Sequence, residues 1–203
     1  MENGVAASTQ PDLRLKWDVF LSFRGEDTRR TFIGPLYDAL WSKDVRAFRD
    51  NEGMNKGDQI SPTLLAAIED SAMAIAVISP RYADSHWCLD ELAKIYECRK
   101  LILPVFYGVE PSDVRRQRGP FKVWFERYVE REDASRVLAW RDAMKQAGGV
   151  SGWIFSDQDD RRDMLLLIQQ IVRRITDELK NVPLYVAPFL VGLDSRIEQL
   201  LVC

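Results

Sequence analysis

The stretch SHWCLDEL, Ser85 to Leu92, gathers the chain's single histidine, a tryptophan, a cysteine and two adjacent acids, Asp90 and Glu91. A second unusual stretch, FRGEDT from Phe23 to Thr28, combines an aromatic ring, an arginine, a glycine and two more acids. A carboxylate in such company can stabilise a developing cation or orient a water molecule. Arg24 offers a planar charged fork that suits phosphate, Gly25 lets a backbone approach a ligand closely, and Phe23 and Trp87 could stack on a flat ring. The plainer reading of Asp90-Glu91 is a pair of acids favourable at a helix start. Arg24 could equally pair with Glu26 or Asp27.

Both stretches follow apolar runs that read as strands. WDVFLSF, Trp17 to Phe23, precedes the first, and MAIAVIS, Met73 to Ser79, precedes the second. VRAFRD, LILPVFY and the region of SGWIF predict three more strands. Between them lie helical stretches. In TRRTFIGPLYDALWSKD apolar residues recur at helical spacing, although Gly34-Pro35 must disturb or delay that helix. Ser61 as N-cap and Pro62 at the first position open TLLAAIEDS. CLDELAKIYECRK, FKVWFERYVERE and SRVLAWRDAMKQA follow, with VEPSDVRRQRGP read as a long loop. In DMLLLIQQIVRRITDELK one face collects Leu165, Ile168, Ile171, Val172, Ile175 and Leu179.

Strand and helix alternate, and the central strands are almost wholly apolar, so helices should cover both faces of a parallel sheet. The expected class is α/β, a flavodoxin-like five-stranded parallel sheet in the order 2-1-3-4-5. In that order ligands bind beyond the carboxyl ends of strands 1 and 3, where the order reverses. Topology alone then brings FRGEDT and SPRYADSHWCLDE to one crevice, with the polar loop DNEGMNKGDQ beside them.

Bulk properties narrow what the crevice holds. The chain has 203 residues and a net charge of −3, which gives no overall pull toward nucleic acid or an anionic membrane. LYVAPFLVGL is interrupted by Pro188 and too short to span a bilayer. Three cysteines, Cys88, Cys98 and Cys203, form no C-x-x-C pair or His/Cys cluster, so neither disulfide nor metal is expected. The common phosphate-binding glycine fingerprints are absent. The parts suit cleavage of the glycosidic bond of a nicotinamide nucleotide, which passes through an oxocarbenium-like state. A pyridinium leaves as a neutral molecule and needs no proton, so one carboxylate, Glu91, could suffice.

Five separated motifs occur in order: WDVFLSFRGEDTR at 17–29, AFRD to GDQISPTLLAAIEDS at 47–71, AVISPRYADSHWCLDELAKI at 76–95, LPVFYGVEPSDVRRQRGPF at 103–121 and SGW at 151–153. Together they resemble a plant Toll/interleukin-1 receptor (TIR) domain from an intracellular immune receptor of the nucleotide-binding, leucine-rich-repeat class. The resemblance divides the chain into a disordered segment 1–14, the TIR domain at 15–180, a linker at 181–190 and, at 191–203, a truncated start of the nucleotide-binding (NB-ARC) domain. It implies NAD(P)+ cleavage switched on by self-association, with NAD+ or NADP+ as substrate and no cofactor. The catalytic glutamate falls on Glu91, and the substrate pocket on Phe23, Arg24, Gly25, Trp87 and Ile60, the last ending a mobile loop, 49–60, over the site. Cys88 and Ser85 are secondary candidates, Cys88 for a cyclic-nucleotide-forming activity, against the plainer reading of Cys88 as a small packing residue.

The family's self-association contacts fall on Phe32, Gly34, Pro35, Gly152 and Trp153. Gly34-Pro35 replaces the Ser-His pair that many plant members carry in the first helix, which puts the usual helix-to-helix dimer in question. The implied partners are other TIR domains and downstream immune-signalling proteins, in the cytoplasm and also the nucleus. The rival reading is a TIR–TIR scaffold without turnover. Asp90 reads as structural, His86 as a surface or capping residue, and Arg115, Arg116, Arg118 and Lys122 as a solvated face, with contact to a partner TIR or to nucleic-acid phosphates as the alternative.

Overall fold

A computed structural model describes residues 15–49, 61–156 and 158–181. Ile60, most of the expected 49–60 loop, the 1–14 segment, and the expected linker and domain start after residue 181 lie outside the described residues.

Five strands, β1 (Trp17–Phe23), β2 (Ala47–Arg49), β3 (Ser71–Ile78), β4 (Leu101–Tyr107) and β5 (Trp153–Phe155), form one parallel sheet in the order β2-β1-β3-β4-β5. The register sets Phe23 of β1 beside Val77 of β3, so the two strands end together. β3 and β4 read as continuous apolar runs because both faces are covered. One face packs Phe20, Ala76, Ile78 and Phe106 against α3 (Pro62–Glu69), α4 (His86–Glu97) and α7 (Ala134–Ala147). The other packs Val19, Leu21, Ile75 and Val105 against α2 (Gly34–Trp41) and α8 (Arg161–Asn181). No helix among the described residues is long and apolar enough to cross a membrane.

The delay expected at Gly34-Pro35 is present, and two other expectations are corrected. The chain after β1 forms a four-residue helix, α1 (Gly25–Thr28), and then a wide π-turn over Arg29–Ile33 before α2 begins at Gly34. Proline's missing N–H and its ring disrupt the α pattern at this point, and the wider turn carries the chain past it. The segment read as a long loop holds α5 (Pro111–Arg116) and a short 3-10 turn at Gly119–Phe121. Pro111 starts α5, Val114 anchors it in the core, and Gln117, in the left-handed region at φ 46°, ends it. On α8, Ile168, Ile171, Val172 and Ile175 are buried as expected, but Leu165 is 45% exposed, and Met164 and Leu167 pack on the core in its place.

α6 (Lys122–Arg131) completes the helices among the described residues.

Candidate functional site

Ser85 accepts a hydrogen bond from the Cys88 backbone N–H at 3.4 Å and caps α4, so the helix begins at His86 rather than at Cys88. Glu91 therefore stands on the second turn, beyond the strongest reach of the helix N-terminus. Two consecutive residues on a helix point about 100° apart, and here the two acids part completely. Asp90 turns toward α7, where it accepts from Trp140 Nε1 at 2.8 Å and Arg136 Nε at 3.1 Å. Glu91 turns toward β1. The residue is only 8% exposed, and Ser22 Oγ donates to Oε2 at 2.6 Å.

Ser22 and Tyr82 are fully buried, with their hydroxyl oxygens 2.7 Å apart. Tyr82 Oη also lies 3.0 Å from the carbonyl of Cys88. Burial pushes the Tyr82 phenol well above its ordinary range, and the nearby Cys88 and Glu91 add to the shift. Burial likewise raises the Cys88 thiol, with Glu91 reinforcing it, and Cys88 Sγ points at the Phe23 carbonyl at 3.5 Å. A thiol shifted this way is less often the reactive thiolate.

The loops after β1 and β3 are tied together across the point where the strand order reverses. Asp27 accepts from Ser79 Oγ at 2.6 Å and from the Arg81 N–H at 3.1 Å. Arg24 donates to Glu26 at 3.1 Å and to Asp84 at 3.4 Å, so of its two expected carboxylate partners it takes Glu26, while Asp27 serves the other loop. Arg24 Nε is buried and unpaired among the described residues.

These elements enclose a cavity of about 730 Å³, within the range of small-molecule sites. Phe23, Arg24, Gly25, Ser85, Trp87, Cys88 and Glu91 all line it. Seven of the residues named from sequence for the pocket thus converge on one wall-to-wall space. Phe23 differs from its expected part. It is 8% exposed and the Arg29 guanidinium lies 5.2 Å over its ring, so it forms an apolar wall and not an open stacking surface. Trp87 is half-buried with the His86 ring 4.2 Å from its own.

The expected self-association residues lie elsewhere. Phe32 is fully buried and meets the Tyr107 ring edge-on at 5.7 Å, so its side chain is core and not surface. Gly34 and Pro35 are half-buried at the start of α2. Gly152 has a packing reason of its own: a Cβ there would stand 2.3 Å from the Pro104 carbonyl oxygen. Trp153 is half-buried in β5.

Sequence reasoning missed Ser22, Tyr82, Asp27 and Arg29. A serine inside the apolar run WDVFLSF was the one available signal. Among the described residues no group of three or more His, Cys, Asp or Glu could hold a metal ion.

The family model described as "TIR domain" matches residues 16–187. "Disease resistance protein RPV1" of Vitis rotundifolia is 42% identical over 189 residues, spanning 91% of this chain and 13% of that protein. "TMV resistance protein N" of Nicotiana glutinosa is 39% identical over 200 residues, 96% of this chain and 17% of that protein. The chain thus spans less than a fifth of the length of these relatives. Among solved structures, the TIR domains of the activated Roq1 resistosome directly recognizing the pathogen effector XopQ superpose with a TM-score of 0.69. They are 42% identical, with 78% of this chain and 99% of that chain covered.

Proposed function

The chain belongs to the TIR domain family, of the kind found in plant disease-resistance proteins, and from that premise we propose that it is an NAD(P)+ nucleosidase that signals in immunity once copies of it associate. The observation that carries this reading is Glu91: a buried carboxylate on the wall of a nucleotide-sized cavity, beside Arg24 and Trp87.

The reaction needs little else. The bond between the ribose C1′ and the pyridinium nitrogen breaks, and its electron pair leaves with neutral nicotinamide. The carboxylate of Glu91 stabilises the ribosyl cation left behind, in a site partly shielded from water where charge counts for more. Water then attacks C1′ and gives up a proton to Glu91, which releases it to solvent. Arg24 and the Gly25 backbone contact ribose or phosphate, and Trp87 flanks the ring. The likeness to Roq1 TIR domains within an assembled resistosome supports self-association as the activating step. Downstream immune-signalling proteins and an address in the cytoplasm and nucleus complete the proposal.

Incubating the purified chain at high concentration with NAD+ tests it. Nicotinamide released by wild type and not by Glu91→Ala is the expected result. No release from either, with self-association demonstrated in the same sample, would leave a scaffold without turnover.

A further inference from the structure

We propose that Ser22 and Tyr82 are positioning residues for Glu91, a reversible chain of two hydroxyls that holds its carboxyl in place both as carboxylate and as carboxylic acid. The use of this chain in turnover rests on the nucleosidase reading above; its existence does not.

Three contacts run in series: Glu91 Oε2 to Ser22 Oγ at 2.6 Å, Ser22 Oγ to Tyr82 Oη at 2.7 Å, and Tyr82 Oη to the Cys88 carbonyl at 3.0 Å. Each hydroxyl carries one proton. With Glu91 ionised, two protons serve the chain. Tyr82 donates to Ser22, Ser22 donates to Glu91, and the longest contact goes without a proton. With Glu91 protonated, three protons serve three contacts, all running the other way: Glu91 to Ser22, Ser22 to Tyr82, Tyr82 to the Cys88 carbonyl. Rotation of two hydroxyls converts one arrangement to the other, and no heavy atom has to move.

That reversibility matches what the hydrolysis demands. NAD+ and water give nicotinamide, ADP-ribose and one proton, and in the reading above Glu91 begins ionised, takes that proton from water and then releases it to solvent. A carboxyl with a partner in only one form would swing or lose a buried hydrogen bond at the moment of proton transfer. Tyr82 is fully buried, so the chain ends there and the proton returns to solvent through the cavity. Charged and titratable groups lining the same cavity are Arg24, Glu26 and Asp27 on the loop after β1, Arg29 and Arg30 on the π-turn, and the Cys88 thiol on α4.

The test titrates Glu91 directly by carbon NMR in chain labelled with carboxyl-13C glutamate, the signal being assigned by its loss in Glu91→Gln. Ser22→Ala removes a donor to the charged form. The midpoint should rise by about one pH unit, roughly tenfold in proton affinity. Tyr82→Phe removes support from the charged form and an acceptor from the neutral one, so its shift should be smaller. Ser22→Thr keeps the hydroxyl and should stay near wild type. The acid limb of nicotinamide release should move with the NMR midpoint. A folded Ser22→Ala with the wild-type midpoint overturns the inference; if that variant does not fold, a Ser22→Thr or Tyr82→Phe midpoint displaced by a full unit does so. Absence of release from every chain, with self-association demonstrated in the same samples, would refute the nucleosidase reading while the NMR titration still decides the hydroxyl chain.

Discussion

Asp90 and Glu91 are neighbours in sequence and face different sides of α4: one carboxylate is bound to Arg136 and Trp140, the other to Ser22 at the cavity wall. The first is a bolt between two helices. The second is the only one of the pair that a ligand in the cavity can meet.

Exchanging each acid should therefore separate stability from chemistry. Asp90→Ala leaves the Trp140 indole N–H without its acceptor, and Trp140 is 1% exposed. It should cost about 1–3 kcal/mol, read from the denaturant midpoint, with nicotinamide release per folded molecule unchanged. Glu91→Gln should show the reverse: near-native stability and no release. A Glu91→Gln chain that still cleaves NAD+ at the wild-type rate removes Glu91 from the mechanism.

Asp27 fastens the β1 loop to the end of β3 through Ser79 and the Arg81 N–H, and its side chain is 12% exposed. Asp27→Ala should lower stability by about 1–3 kcal/mol, since it strips a buried hydroxyl and a backbone N–H of a charged partner. It should also depress activity more than Asp90→Ala does, because the loop it releases carries Arg24 and Gly25. Equal activity in the two variants would mean that the crevice does not depend on this tie.

The sheet was legible because its strands are apolar runs separated by helical periodicity, both local signals. The convergence of two loops followed from strand order, a consequence of topology and not of any single residue. What stayed hidden was non-local or short. Ser22 meets a carboxylate 69 positions away, and a lone serine in an apolar strand has no pattern that announces a partner. Asp90 looked structural, but its partners Arg136 and Trp140 lie on a different helix. α5 spans six residues with Val114 as its one buried anchor, too brief for any period to emerge.

Cys88 lines the cavity but is 5% exposed, and burial holds its thiol well above the ordinary range. Only the thiolate reacts, so Cys88 should alkylate far more slowly at pH 8 than the half-buried Cys98. Peptide mass mapping after a timed pulse of iodoacetamide measures this. Labelling of Cys88 ahead of Cys98 in folded protein would show a thiolate in the site and reopen a chemical part for it.

Tyr96 poses the opposite case, a group that weakens the fold. Its hydroxyl oxygen is buried with no hydrogen-bond partner among the described residues, and burial pushes its phenol up to about 12. An unmade buried hydrogen bond costs about 1–3 kcal/mol, so Tyr96→Phe should stabilise the chain at pH 7. The sign reverses nowhere with pH, but the slope changes. The unfolded phenol ionises near pH 10 and the folded one holds its proton to about 12, so between these values the folded state binds more protons. Stability must fall as pH rises through that window, and Tyr82 and Tyr128, both also raised by burial, steepen the fall. Denaturant midpoints from pH 8 to 11.5 should decline above pH 10 in wild type and less steeply in Tyr96→Phe. A Tyr96→Phe chain that is less stable at pH 7 would mean that the hydroxyl has a water partner worth keeping.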